Sequence, residues 1–471
     1  MKSKYKKLFN NTIVFAIGNF GSKILTFLLV PLYTSFLSTE QYGTADLVTT
    51  TVSLLQPILT LSIYEAILRF SLDKEKKPDV VLSNALLITL IGIVVLLCLS
   101  PIGLYVDWHL SEYWWYIVGI FIMLSFQICF SSYLKGVEKT KLFALQGLVY
   151  TIVYLLSNVF LIAFFDFGIE GYLLSVIFGY FASIVFMLIF GKIPICLNKY
   201  DNALIFEMLK YSIPLAPAAV LWWFNAYSDK YMLLWLIGAG ANGLYTVANK
   251  IPSIFTTFSS LFSQAWRLSA ISNFDDEQGK TDFYSRVYIF YFLFCVYICF
   301  ILVALSKVFA SILFKNDYYS AWILIPMLLF ASLMGGLSGF LESIYAAAKK
   351  TKQLLISMFI GSLFNIVLNY FLIKEIGIIG APIATAISFI VIWIIRSIVL
   401  KKIISMKIDY YRICLSLAMT FFAFLLFSYD FDFKYILLLV TVLIITIINY
   451  KDVRLLLIES IKLFKKEKRK K

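Results

Sequence analysis

Charge is scarce in this chain. Only 14% of its 471 residues are Asp, Glu, Lys or Arg, where a soluble fold carries roughly a quarter. That is too little polar material to coat a globule in water. There is a single histidine, His109, in a short polar connector, which excludes a histidine-based proton relay by count. The six cysteines (Cys98, Cys129, Cys196, Cys295, Cys299 and Cys414) include no C-x-x-C pair and have no histidine partners. Neither a metal nor a redox centre is expected from them, and they read as small polarisable packing residues. Long loops are missing as well. The longest candidates, 191–207 and 268–283, are polar connectors too short to fold alone, which weighs against a polytopic glycosyltransferase or polysaccharide polymerase. Roughly ten-residue segments of alternating polarity are also absent, which excludes a membrane β-barrel. No cofactor and no catalytic residue are expected.

What the chain has is hydrophobic length. Apolar residues make up 61% and the mean hydropathy is +0.88, so the solvent must be lipid. Runs of roughly 20 apolar residues, enough to cross the hydrocarbon core as helix, occur at 11–33, 43–69, 80–105, 113–134, 142–165, 171–191, 208–237, 243–267, 284–306, 319–348, 353–373, 377–400, 410–428 and 433–450. The predicted class is an all-α integral membrane protein of about fourteen spans. The first span follows Lys2, Lys4, Lys6 and Lys7 but is long and has no Ala-x-Ala site, so it is expected to be a retained helix. With alternate connectors assigned to alternate faces, 34 of the 41 Lys and Arg residues fall on one face, Arg396 among them. That bias places both termini in the cytoplasm. It also accounts for the net charge of +14, with the basic tail 453–471 lying against anionic lipid head groups. No nucleic-acid partner is expected.

The chain repeats itself. Residues 139–171, KTKLFALQGLVYTIVYLLSNVFLIAFFDFGIEG, align with 350–380, KTKQLLISMFIGSLFNIVLNYFLIKEIGIIG. The alignment superposes a basic loop, Asn158 on Asn369, and Gly168-x-x-Gly171 on Gly377-x-x-Gly380. More weakly, Gln41-Tyr42-Gly43-Thr44-Ala45 lines up with Asn242-Gly243-Leu244-Tyr245 at an offset of 200. Helices 1–6 thus correspond to helices 7–12: an N-lobe at 1–200, a C-lobe at 201–405, helices 13 and 14 at 406–452, and the tail. Six spans per repeat give the lobes the same orientation, the parallel arrangement of one class of alternating-access transporter.

Two stretches carry a resemblance. IGNFGSKILTFLLVPLYTSFLSTEQYGTADL (17–47) and SDKYMLLWLIGAGANGLYTVANKIPSIFTTFSSLFSQAWR (228–267) resemble the corresponding helices of bacterial polysaccharide repeat-unit flippases of the Wzx type. These belong to the multidrug/oligosaccharidyl-lipid/polysaccharide exporter superfamily. With the helix count and repeat, the resemblance covers the whole chain. Lys23 stands where Arg is more usual, a point charge in place of a bidentate fork. The resemblance implies movement of an undecaprenyl-diphosphate-linked oligosaccharide from the inner to the outer leaflet of a bacterial cytoplasmic membrane, by a monomer, with polysaccharide polymerase or assembly proteins downstream. The related lipid II or teichoic-acid precursor flippases and the multidrug exporters remain alternatives.

Ionisable residues inside spans cost roughly 2.5–3.5 kcal/mol each on insertion scales and need a reason to be there. Lys23, Asp46, Glu65, Asp229, Lys230, Lys250 and Glu342 lie within spans, with Arg69 and Arg267 at helix ends. All but Glu342, which reads as interfacial, fall on helices 1, 2, 7 and 8, the helices that line the central cavity in the resembling family. Lys23, Lys230, Lys250, Arg69 and Arg267 are the candidate diphosphate-binding cations. Alternatively, Lys230 or Lys250 pairs with Asp229 or Asp46 as a structural lock, and the two arginines snorkel. Asp46, Glu65 and Asp229 are candidate proton or Na⁺ coupling sites. Trp222, Trp223, Asn225 and Tyr227 sit mid-helix, away from the interfacial belts, and are candidate glycan contacts, with lobe packing as the alternative. Pro31, Pro57, Pro214, Pro217 and Pro252 are expected to interrupt these same helices.

Overall fold

The computed structural model describes residues 27–458 except 74, 106–108, 195–198, 273–279, 349, 405, 430 and 457. Every described element is helical. Among the described residues nine helices are long and apolar enough to cross a membrane, or eleven if each of two bent pairs counts as one span. One of them, Lys352–Leu400, holds two of the expected spans, and the span expected at 11–33 lies mostly outside the described residues. The chain divides into two compact units, Met1–Thr246 and Val247–Lys471.

The first unit contains α1 (Val30–Phe36), α2 (Thr39–Leu59), α3 (Ile63–Ser71), α4 (Pro78–Cys98), α5 (Ser100–Tyr105), α6 (Trp114–Gly136), α7 (Thr140–Asn158), α8 (Gly168–Gly191), α9 (Asn202–Ser212), α10 (Leu215–Leu236) and the start of α11 (Ala239–Ala248). Serine 38 begins α2 with a capping box: its Oγ accepts from Gln41 N at 3.1 Å and its own N–H donates to Gln41 Oε1 at 3.0 Å. Two orphan donors of the first turn are thereby satisfied. α9 starts at Asp201, whose carboxylate accepts from Ala203 N and Leu204 N. Its Leu204, Met208 and Ser212, one face at i, i+4 and i+8, are buried. Leu204 and Met208 join Ile63, Ile67, Val81, Leu82, Phe130 and Met187 in an apolar core shared by α3, α4, α6 and α8.

The span expected as one helix over 43–69 is two. α2 and α3 meet at a 61° bend, with Leu61 and Ser62 both in the left-handed region at φ 50° and 51°. Pro57 lacks the N–H that would continue the ladder, and its carbonyl accepts from Ser62 N at 3.1 Å across the break. Gly92 of α4 abuts this point, because a Cβ there would collide with the Leu59 carbonyl oxygen. The other prolines also fall at breaks in the expected spans: Pro31 just after the turn at Leu29, Pro214 and Pro217 where α9 gives way to α10, and Pro252 where α11 gives way to the helix Lys250–Ser272. Each stands at or just before the first turn of the helix after its break, where its missing N–H costs least.

The second unit contains α12 (Lys250–Ser272), α13 (Lys280–Ala304), α14 (Ser306–Leu313), α15 (Ile325–Ala347), α16 (Thr351–Ile376), α17 (Gly380–Leu400), α18 (Tyr410–Phe427) and α19 (Lys434–Ile448). Trp266 stacks on Phe340 at 4.4 Å, Phe262 stacks on Tyr291 at 4.5 Å, and Trp393 Nε1 donates to Tyr288 Oη at 2.7 Å. At the head of α18 the Arg412 side chain and N–H hold the Asp409 carboxyl below the usual carboxylate range. The repeated positions match in conformation: Gly168 and Gly377 have φ +52° and +67°, Gly171 and Gly380 lie against the preceding helix, and Asn158 and Asn369 are fully buried.

Candidate functional site

The first unit places Asp46 on α2 and Asp229 and Lys230 on α10, with the uncharged α11 packed beside them. α2 and α11 cross at backbone contact. A Cβ on Gly43 would meet the Ala239 carbonyl oxygen, and a Cβ on Gly243 would meet that of Thr39. Small residues at a helix crossing permit such an approach, and here they are the two glycines of the weaker sequence repeat. The approach brings Asn242 over α2, where its Nδ2 donates to Gly43 O at 2.8 Å and lies 3.4 Å from Asp46 Oδ2.

Asp46 and Lys230 form the centre. Lys230 Nζ lies 2.9 Å from Oδ1 and 2.6 Å from Oδ2 of Asp46, with side chains 13% and 15% exposed. The ammonium also sits 5.2 Å from the Tyr227 ring centroid, a favourable cation–π approach. Asp229, the neighbouring residue, points elsewhere: it is 3% exposed and accepts from Tyr245 Oη at 2.7 Å. Below the pair, Tyr231 Oη and Thr51 Oγ1 share a 2.5 Å hydrogen bond, and Trp223 Nε1 donates to Thr50 O and Ser53 Oγ, both at 3.0 Å.

The aromatic candidates therefore divide. Trp223 is 4% exposed with its N–H engaged by α2, whereas Trp222 is 56% exposed and its ring lies 6.1 Å from that of Tyr227. Asn225 and Tyr227 are half-buried. Glu65 and Arg69 lie past the bend on α3, half-buried and exposed respectively, away from the Asp46 pair in sequence and helix. Lys23 lies outside the described residues.

Lys250 and Arg267 belong to the second unit, where Lys250 opens α12 half-buried. Arg267 Nη2 lies 3.8 Å from Glu342 Oε1, and Arg396 Nη1 lies 3.2 Å from Oε2 of the same carboxylate. Arg396 is not in a loop. It is 3% exposed on α17 and donates Nη1 to Ser338 O at 2.8 Å and Nε to Ser357 Oγ at 3.0 Å. A buried guanidinium needs that full set of acceptors. Glu342, read as interfacial, is instead its counter-ion. Asn242, Tyr231 and Tyr245 carry no charge, and their only sequence signal is amide and hydroxyl placement beside the charged positions.

The family described as "Polysaccharide biosynthesis protein" matches residues 8–267. An uncharacterized membrane protein of Methanocaldococcus jannaschii is 24% identical over 419 residues, covering 84% of this chain and 98% of its own length. The fold is similar to that of the lipid II flippase MurJ in an inward closed conformation: TM-score 0.66, 18% identity, 94% of this chain and 99% of that one. An inward-facing multidrug resistance MATE family transporter of the MOP superfamily gives TM-score 0.66 at 15% identity, covering 81% of this chain and 95% of that one.

Proposed function

The chain belongs to the polysaccharide biosynthesis protein family, and from that premise we propose that it flips a diphosphate-linked oligosaccharide lipid between membrane leaflets, as a transporter rather than a catalyst. The carrying observation is the Asp46–Lys230 pair, an ammonium kept inside an apolar bundle with a carboxylate in the place an anionic head group would take. A lipid diphosphate offers the same oxygen chemistry with more charge, so it exchanges with Asp46 at Lys230. Lys23, Arg69, Lys250 and Arg267 are assigned to the same anion-handling set. Asp46, Glu65 and Asp229 are the coupling carboxylates for a proton or Na⁺. Trp222, Asn225 and Tyr227 are assigned to the glycan, and Trp223 to fixing α10 on α2. Movement is alternating access between lobes 1–200 and 201–405, with helices 13 and 14 outside that motion. Both termini lie in the cytoplasm of a bacterial cell, and the product leaves for polysaccharide assembly.

The test is reconstitution of the full chain in proteoliposomes with a fluorescent undecaprenyl-diphosphate oligosaccharide, reading outer-leaflet appearance by quenching. Lys230→Met is expected to abolish flipping while the folded protein still inserts. Wild-type flipping by that variant would overturn the assignment. Arms with lipid II and with a cationic drug distinguish the precursor-flippase and drug-exporter readings.

A further inference from the structure

The two copies of the repeat differ in length between their matched residues. Nine residues, 159–167, separate Asn158 from Gly168, whereas seven, 370–376, separate Asn369 from Gly377. In the second copy α16 runs past Asn369 as regular helix to Ile376 and meets Gly377 directly. In the first, α7 ends at Asn158 and the chain continues as a π-helical turn, Val159–Phe164. Phe165 N–H donates to Phe160 O at 3.0 Å, a return of five residues, and Phe167 N–H donates to Leu161 O at 2.9 Å. At the join the Val159 N–H is shared between Leu155 O and Leu156 O. A π bond closes over one residue more than an α bond, so the turn stores an extra residue.

The fold does not need this turn to place its neighbours. Asn158 and Asn369 are both fully buried, and Gly171 and Gly380 both lie against the preceding segment, although only the first copy is wound as π. The turn leaves a polar atom unmet. Asn158 Nδ2 donates to Tyr154 O at 2.7 Å, but its Oδ1 is buried and has no hydrogen-bond donor among the described residues. An unmet buried acceptor costs its full desolvation, and such an atom marks stored strain or a working part. Side chains hold the turn loosely as well. Ile162 is its one fully buried residue, while Phe160 and Phe164 are exposed. Gly171 leaves room for its backbone, since a Cβ there would come within 3.2 Å of Leu161. The turn packs on α1 and α8, and Tyr154, one turn before Asn158, shares a 2.7 Å hydrogen bond with Tyr33 of α1.

We propose that the end of α7 is a register hinge, exchanging between the π turn and regular α bonding. Each exchange passes one residue between the turn and the link 165–167 and shifts α1 against α8. Because α1 leads directly into α2, the helix of Asp46, the corner is joined by chain to the ion pair. The second copy holds no stored residue, so the two halves of the repeat deform differently: the first bends at its α7–α8 corner and the second stays regular. The use of the hinge in transport rests on the proposed function; the exchange of register does not.

The experiment is amide hydrogen exchange followed by mass spectrometry on the full chain in lipid nanodiscs, with no saccharide present. The wild-type peptide 155–167 is expected to exchange on the order of tenfold or more faster than its equivalent, 366–376. Deleting Phe160 removes the stored residue and should bring 155–167 to the rate of 366–376 with no loss of melting temperature. Asn158→Leu removes the unmet acceptor, favours the π register and should slow exchange too, which keeps the hinge testable if the deletion variant fails to fold. Equal rates in the two wild-type peptides would overturn the proposal, as would a wild-type rate in both variants. In the flipping assay each variant is expected to lose about tenfold in rate, as hinge changes do where a conformational step limits turnover. Wild-type flipping alongside slowed exchange would overturn the hinge's part in transport. Failure of the proposed function would show differently, as no flipping by the wild type.

Discussion

Asp46→Asn tests whether the ion pair is a lock or a working part. Lys230 Nζ meets both carboxylate oxygens within 2.9 Å, and neither side chain is more than 15% exposed. At an effective dielectric near 20, opposite charges about 3 Å apart attract by roughly 5–6 kcal/mol before desolvation is deducted. Removing one partner strands the other, at about 3–5 kcal/mol for a buried pair. The Tyr227 ring and some residual solvent soften that, so about 3 kcal/mol is expected for Asp46→Asn and for Lys230→Met alike. The double variant buries no charge. It should recover a coupling of at least about 1.5 kcal/mol, more than tenfold in the folded-to-unfolded ratio. The assay is denaturant unfolding in detergent followed by tryptophan fluorescence, with flipping measured on the same preparations. The expected outcome is a double variant that is stable and inactive. Single costs that simply add would refute the energetic reasoning, and a double variant that flips at the wild-type rate would show the pair to be a lock.

Gly43→Ala places a methyl group against the Ala239 carbonyl, and Gly243→Ala one against that of Thr39; each should cost about 1–3 kcal/mol or more, seen as a lowered melting temperature. Arg396→Met removes charge-assisted hydrogen bonds to Glu342, Ser338 and Ser357 and should destabilise by about 2–3 kcal/mol. Glu342→Gln should cost less because that carboxylate is 37% exposed, and unfolding curves of both variants check the order. Lys23→Ala should abolish surface polysaccharide without lowering protein level while Lys23→Arg is tolerated; equal loss in both would remove Lys23 from the diphosphate assignment. An inside-negative potential should favour outward flipping by up to about 4–5 kcal/mol per 100 mV for a dianionic head group. Proteoliposomes under a potassium-diffusion potential test this, and indifference to its sign would refute an electrical drive.

The membrane class, the helical architecture and the short list of costly intramembrane charges were legible because each depends on local composition. Partners were not. Asp229 is adjacent to Lys230, yet the carboxylate that binds Lys230 comes from Asp46, 184 residues earlier, since neighbours on a helix point in different directions. Arg396 read as a loop cation because a positive-inside count assigns charges near span ends to the nearest connector. Its burial depends on Ser338, Glu342 and Ser357, contributed by two other helices.

The glycines show where a sequence repeat becomes physical. Gly168 and Gly377 were aligned only as letters, but both adopt positive φ, a conformation in which an L side chain is strained. Each turns the chain into α8 or α17, and the glycine three residues later, Gly171 or Gly380, lies close to the helical segment before it. Gly43 and Gly243 do something different with the same absence of a side chain. Their φ angles are ordinary, and what each supplies is room for the other's helix. In the weaker repeat the equivalent positions of the two halves thus meet face to face within one unit, with Asn242 carried by α11 onto Asp46. Duplication of a turn can account for the first pair of glycines. The second pair requires that the two copies also be complementary to one another. Substitutions at Gly43 and Gly243 should therefore disturb the Asp46 centre as well as stability, whereas those at Gly168 and Gly377 should affect stability alone.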